Sequence, residues 1–321
     1  MLRKLFCGIS FCACIVWLLF ASAVFAQPDL NRKHKVSVVE TGSDLYRFET
    51  FTVDAHHHYR ITVAVPKKTP PEHGFAALYL LDGNAVLDDW NEDLFANCGG
   101  NLPVLVCIGY ETDLRFDVKA RALDDTPVQR TGQAPPVDFQ GRTGGGADKF
   151  AEIIETKIKP KVESIVKTDK QRQGIWGHSY GGLFVLNTLF RHTEMFRYYY
   201  AADPSLWYGE GLILHHKETF LETFPHDAQN LQKALKKEVR LTLMTGSGSL
   251  PNHQTANRQT AAQPTSNHQK EKMAVPSDAA ETMVKQLKPK LTDAVFLHYD
   301  LTHGAMFGHA LKESIRLFSR L

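Results

Sequence analysis

A chain of 321 residues with 43% hydrophobic and 22% charged residues has room for one large α/β domain, and its composition is ordinary for a globular protein. Its 37 Lys and Arg stand against 35 Asp and Glu, a balance that leaves no electrostatic footprint for nucleic acid.

The first 26 residues differ from the rest. Arg3 and Lys4 precede an apolar stretch from Leu5 to Phe20, and Val24-Phe25-Ala26 presents small residues where a signal peptidase reads. The pattern predicts an exported chain cut after Ala26. Left uncut, about 20 apolar residues would suffice to cross the inner membrane as a tether. The single domain is then 27–321. Cys7, Cys12 and Cys14 lie in the leader, leaving Cys98 and Cys107. These two could pair in an oxidising compartment, although Cys107 inside Val104-Leu105-Val106-Cys107-Ile108 reads as a small buried thiol.

His56-His57-His58 opens the first predicted strand, at 59–66. Neighbours on a strand point to opposite faces, so the three are not expected to converge on an ion, and no metal site is predicted. Asp88-Asp89 and Asp124-Asp125 likewise lack the spacing of a known site. Apolar runs at 76–81 and 104–109 read as central strands covered on both faces, with a helix over 84–95 between them. Residues 128–146, rich in Gly, Pro, Gln and Thr, read as a loop. Helical spacing of Phe150, Ile153, Ile154, Ile158, Val162 and Val166 predicts a helix over 147–167. Further strands are predicted at 198–202, 239–244 and 295–299, and helices at 278–288 and 308–320. The polar stretch 249–272 carries too little apolar surface to order itself and reads as an insertion. Strands alternating with helices indicate a mostly parallel central sheet with helices on both faces.

Gly177-His178-Ser179-Tyr180-Gly181 has the form of a nucleophile elbow, in which a strand turns sharply into a helix with serine at the strained tip. An apolar run precedes it, and the largely apolar 182–190 follows it as a buried helix. A serine hydroxyl needs a base within reach. His303, in Leu301-Thr302-His303-Gly304 after the last predicted strand, stands where such folds carry their histidine. The acid is expected after the strand ending near Met244, but the chain there reads Thr245-Gly246-Ser247-Gly248-Ser249. Asp278 reads as a helix-start residue and Asp300 lies on the strand end itself. The expectation is therefore a Ser-His dyad, with His303 oriented by a backbone carbonyl or by Ser247. The oxyanion hole is assigned to the amide of Tyr180 and to that of Gly83 or Asn84, in the loop following 76–81.

Leu80-Leu81-Asp82-Gly83-Asn84, Ile108-Gly109-Tyr110, Arg121-Ala122-Leu123-Asp124-Asp125-Thr126-Pro127, the elbow, Asp203-Pro204-Ser205-Leu206-Trp207-Tyr208 and Thr302-His303-Gly304 follow in that order. The set resembles the esterase D-like branch of the α/β-hydrolases, and within it the periplasmic esterases of trilactone catecholate siderophores such as enterobactin and salmochelin. The resemblance implies an α/β-hydrolase fold and a serine esterase that needs no cofactor, iron arriving with the substrate. A ferric catecholate is a bulky aromatic anion, which suits guanidinium groups and rings; Arg121, Trp207 and Tyr110 are the candidates for contacting it. Two other readings stay open. One is a general carboxylesterase acting on acyl-thiol, feruloyl or short-chain esters. The other is a non-catalytic siderophore- or glycan-binding protein on the same scaffold, which a missing acid would favour.

Overall fold

The computed structural model describes residues 32–33, 37–128, 137–138, 140–223, 238–247 and 274–321. The expected leader at 1–26 and insertion at 249–272 lie outside the described residues, as does much of the loop expected at 128–146. Among the described residues no helix is long and apolar enough to cross a membrane.

Eight strands form one sheet: β1 (Tyr46–Asp54), β2 (His58–Pro66), β3 (Phe75–Leu80), β4 (Val104–Tyr110), β5 (Thr168–His178), β6 (Tyr198–Ala202), β7 (Arg240–Gly246) and β8 (Asp293–Tyr299), in the order β1-β2-β4-β3-β5-β6-β7-β8. β1 and β2 run antiparallel to their neighbours, and every pairing from β4 through β8 is parallel. The expected mostly parallel sheet is present, and β1 is an addition to it. Its apolar side chains change parity, from Tyr46 and Phe48 to Phe51 and Val53. That shift breaks the two-residue period by which a half-buried strand is recognised. β4, by contrast, is buried along its whole length, as its unbroken apolar run requires.

Among the described residues the helices are α1 (Val38–Thr41), α2 (Gly83–Asp88), α3 (Val118–Asp124), α4 (Ala147–Ile153), α5 (Lys159–Ile165), α6 (Tyr180–Arg191), α7 (Tyr208–Thr223), α8 (Ala279–Leu287) and α9 (His303–Phe318). The helix expected over 147–167 is α4 and α5 joined through a π-turn at Ile154–Ile158. The one expected over 84–95 splits into α2 and a 3₁₀ turn at Glu92–Phe95. The closing helix begins five residues earlier than expected, at His303, with Thr302 as its cap: the Ala305 amide donates to Thr302 Oγ1 at 3.3 Å.

Each face of the sheet has its own apolar layer. Phe150, Ile154, Ile158, Phe184, Phe220 and Met283 pack on one side. Val86, Met306, Phe307, Leu311 and Ile315 pack on the other. Burying side chains of this size contributes roughly 1.5–3 kcal/mol each, enough to hold the strand ends rigidly. Cys98 and Cys107 are both buried free thiols, so the buried-thiol reading holds for Cys107 and the pairing is not made. Burial pushes the Cys107 thiol up to about 12, which leaves it unreactive.

Candidate active site

Parallel register brings the carboxyl ends of the central strands level. His178 at the end of β5 stands beside Ala202 of β6, and Ala202 beside Met244 of β7. In open α/β sheets this edge is where ligands bind. Three segments leave it together: the elbow after β5, Asp203-Pro204-Ser205 after β6, and the loop from β8 to α9.

Ser179 has φ 61° and ψ −114°, a left-handed conformation that a side chain rarely adopts. It is held there from both sides. The Ser179 amide donates to the Ala202 carbonyl at 3.0 Å, and its own carbonyl accepts from the amides of Leu183 and Ser205. Gly177 is obligatory, because a Cβ there would sit 2.4 Å from the Gly181 backbone. Gly182 is nearly as constrained, its Cβ meeting the Ala202 carbonyl at 2.8 Å, whereas Gly181 has ordinary room. The strain observed at Ser179 is of the kind that the surrounding structure must enforce.

His303 Nε2 lies 3.1 Å from Ser179 Oγ, and His303 Nδ1 lies 2.5 Å from Asp203 Oδ2. Asp203 is buried, and its other oxygen accepts from the Gly246 amide at 3.0 Å. Sequence reasoning looked for a carboxylate after β7; the chain supplies one after β6 instead. The dyad expectation is corrected in this respect, since a carboxylate, not a carbonyl or Ser247, faces Nδ1. Ser247 donates to Asp300 at 2.9 Å, so both belong to the rim. The signal available was Asp203 itself, in a motif already singled out for Trp207, at the end of a strand adjoining the elbow strand. Asp278 is structural as expected, accepting from Thr282 Oγ1 at 3.1 Å.

Two more residues escaped the sequence reading. Ser205, buried, places its Oγ 3.2 Å from that of Ser179. His178 lies against His303 with ring centroids 4.6 Å apart, and its Nε2 donates to the His303 carbonyl at 2.9 Å. Burial pushes His178 down to about 3, with the His303 charge acting in the same direction. It is therefore a neutral prop holding the start of α9.

The oxyanion candidates sit at two helix starts. Tyr180 opens α6, and Gly83 and Asn84 open α2 behind Asp82, which takes a left-handed φ of 53°. Asn84 is bolted to the end of β4: its Nδ2 donates to the carbonyls of Tyr110, Thr112 and Leu114, and its Oδ1 accepts from the Tyr110 amide, all at 3.1 Å.

The expected substrate contacts divide. Arg121 is taken up inside the protein, its Nε and Nη2 donating to Asp82 at 2.7 and 2.8 Å and Nη2 reaching the His178 carbonyl at 3.3 Å. Burial opposes its charge, yet Asp82 and Asp125 hold the guanidinium above its usual range. Arg121 thus clamps the loop before α2 to the elbow, and its expected substrate contact is corrected to a bracing one. Tyr110 is also withdrawn from the cleft: it is buried and donates to Asp124 at 2.9 Å. Trp207 is part-exposed and 5.9 Å from the Tyr180 ring. The Arg142 guanidinium lies 5.5 Å from that same ring and is taken up by the buried Asp138 at 2.6 Å.

Comparison with known proteins agrees with this geometry. The family model described as Putative esterase matches residues 54–283. The chain is 36% identical over 304 residues to the apo-salmochelin esterase of Escherichia coli O6:H1 (strain CFT073), covering 93% of this chain and 87% of that one. It is 35% identical over 173 residues to the ferri-bacillibactin esterase BesA of Bacillus subtilis (strain 168), covering 51% and 59%. The solved structure of the enterobactin hydrolase IroE in complex with DFP, an inhibitor of serine hydrolases, superposes with a TM-score of 0.67 at 32% identity, covering 88% of this chain and 98% of that one. A chain with this sheet order, this strained serine and matches of this extent is an α/β-hydrolase-fold ester hydrolase and belongs to the Putative esterase family.

Proposed function

We propose that this protein hydrolyses the ester bonds of a trilactone catecholate siderophore, through an acyl-enzyme on Ser179. The single observation that carries the reading is the line of contacts Ser179 Oγ–His303 Nε2–His303 Nδ1–Asp203 Oδ2, at 3.1 and 2.5 Å. In the first half-reaction Ser179 Oγ attacks the lactone carbonyl while Nε2 takes its proton. Asp203 fixes the tautomer that leaves Nε2 free and offsets the imidazolium charge. The amides of Tyr180 and of Gly83 or Asn84 stabilise the oxyanion. Collapse expels the ring alkoxide of the lactone, which receives the proton from His303. Water then repeats the cycle on the acyl-enzyme and frees Ser179.

The substrate class rests on the names of the relatives and on the part-exposed ring of Trp207 beside Tyr180, which suits an aromatic catecholate. The non-catalytic reading drew its support from a missing acid, and Asp203 beside His303 removes that ground. We further propose that residues 27–321 form one domain, exported to the periplasm behind a leader cut after Ala26. Enterobactin and p-nitrophenyl butyrate turnover by the purified protein test the substrate. A kcat/KM for the trilactone no better than for the simple ester would favour the general carboxylesterase. Failure of DFP to modify Ser179 would remove the mechanism itself.

A further inference from the structure

A second histidine-carboxylate cluster lies outside the groups assigned to catalysis. β1 ends at Asp54 and β2 begins at His58, so His56 and His57 lie in the turn of a hairpin. The alternation argument that separated them on a strand does not apply there. Their rings are 4.7 Å apart, centroid to centroid, and both Nε2 atoms face the same oxygen of Asp124. The distances to Oδ1 are 2.6 Å from His56 and 3.8 Å from His57. These ligand-type atoms all fall within 4.8 Å of one another.

Two features go beyond proximity. Asp124 is fully buried, and its other oxygen, Oδ2, accepts from Tyr59 and Tyr110, each at 2.9 Å. The phenols thereby aim Oδ1 at the histidines, as outer partners aim a ligating carboxylate. His57 Nε2 is itself buried and has no hydrogen-bond partner among the described residues. The 3.8 Å between it and Asp124 Oδ1 is too long for a hydrogen bond and is a span that an ion bound to both would bridge.

We propose that His56, His57 and Asp124 bind one zinc-like divalent transition ion. Two imidazoles and one carboxylate are borderline donors that suit such ions, whereas calcium and magnesium seek oxygen alone. Both histidine side chains are 27% exposed, so the ion enters from solvent and water completes its shell. As a ligand His56 presents Nε2 unprotonated, its proton moving to Nδ1 or to solvent. The bound ion ties the edge hairpin β1–β2 to the end of α3, one turn beyond Arg121. Its role is structural and independent of the esterase reading.

Chelator-competed Zn²⁺ titration of the purified protein, with His56→Ala, His57→Ala and His303→Gln variants, tests this. The third variant reports on the other cluster of comparable donors, His178, Asp203 and His303. The expected result is one zinc equivalent in the wild type and in His303→Gln, weakened about 10-fold or more in each of the other two. Added zinc should raise Tm only where both turn histidines are present. Absence of a zinc equivalent in the wild type overturns the proposal, as does unchanged affinity in His57→Ala or a loss confined to His303→Gln. Retained p-nitrophenyl ester turnover in His57→Ala shows that the variant is folded, so its loss of zinc cannot be assigned to misfolding.

Discussion

Two buried aspartates in this molecule each meet histidine, and the contacts are arranged differently. Asp203 meets His303 at Nδ1, and the opposite nitrogen of the same ring reaches Ser179. The groups stand in line, and a proton taken at one end is balanced by charge at the other. At Asp124 the Nε2 atoms of two separate rings converge on one oxygen. His56 hydrogen-bonds to that oxygen, and His57 stands off from it at a separation that an ion bound to both could span. Residue types are nearly the same in both places; which nitrogen faces the carboxylate separates the proposed catalytic line from a candidate ion site.

The sharpest way to break this comparison is to remove the nucleophile. Ser179→Ala should lower kcat on the order of 10⁶-fold, measured on any activated ester; a loss of less than tenfold would mean that the line of contacts does not carry the reaction. Next comes Asp203→Asn, which preserves shape but misdirects the tautomer, and should lower kcat about 10⁴-fold. Asp124→Asn at the other cluster should change kcat only a few-fold, so equal losses in the two variants would erase the distinction drawn here.

Stability should report the reverse. Asp124→Ala strands the Tyr110 hydroxyl, left unsatisfied at about 1–3 kcal/mol, while the Tyr59 hydroxyl keeps its 3.0 Å contact with His56 Nε2. The denaturant midpoint should fall accordingly, and an unshifted midpoint would show that the Tyr110 phenol finds another partner.

The smallest effect is with pH. Burial pushes His178 down to about 3 and His216 down to about 4, so the unfolded chain binds more protons than the folded one below the ordinary histidine value of about 6.5. This stabilisation is complete above about pH 6.5 and is lost as pH falls from there toward about 3. Denaturant unfolding across that window should show stability rising with pH. A flat profile would contradict the neutral prop assigned to His178, and His216→Phe should reduce the slope without touching hydrolysis.

What the linear chain determined is whatever depends on neighbours along it. Apolar runs at 76–81 and 104–109 mark strands covered on both faces, and the elbow is legible because Gly177 clears the backbone of Gly181 only four residues on. His303 was readable from its place after the last strand. The tertiary structure alone decided what depends on strands meeting side by side. Asp203 serves His303 across 100 residues of chain, Arg121 braces Asp82 instead of facing a ligand, and Asp124 collects groups from a distant turn. The physical reason is that a carboxylate takes its role from the donors packed around it, and sheet order, with β6 placed between β5 and β7, determines which donors those are.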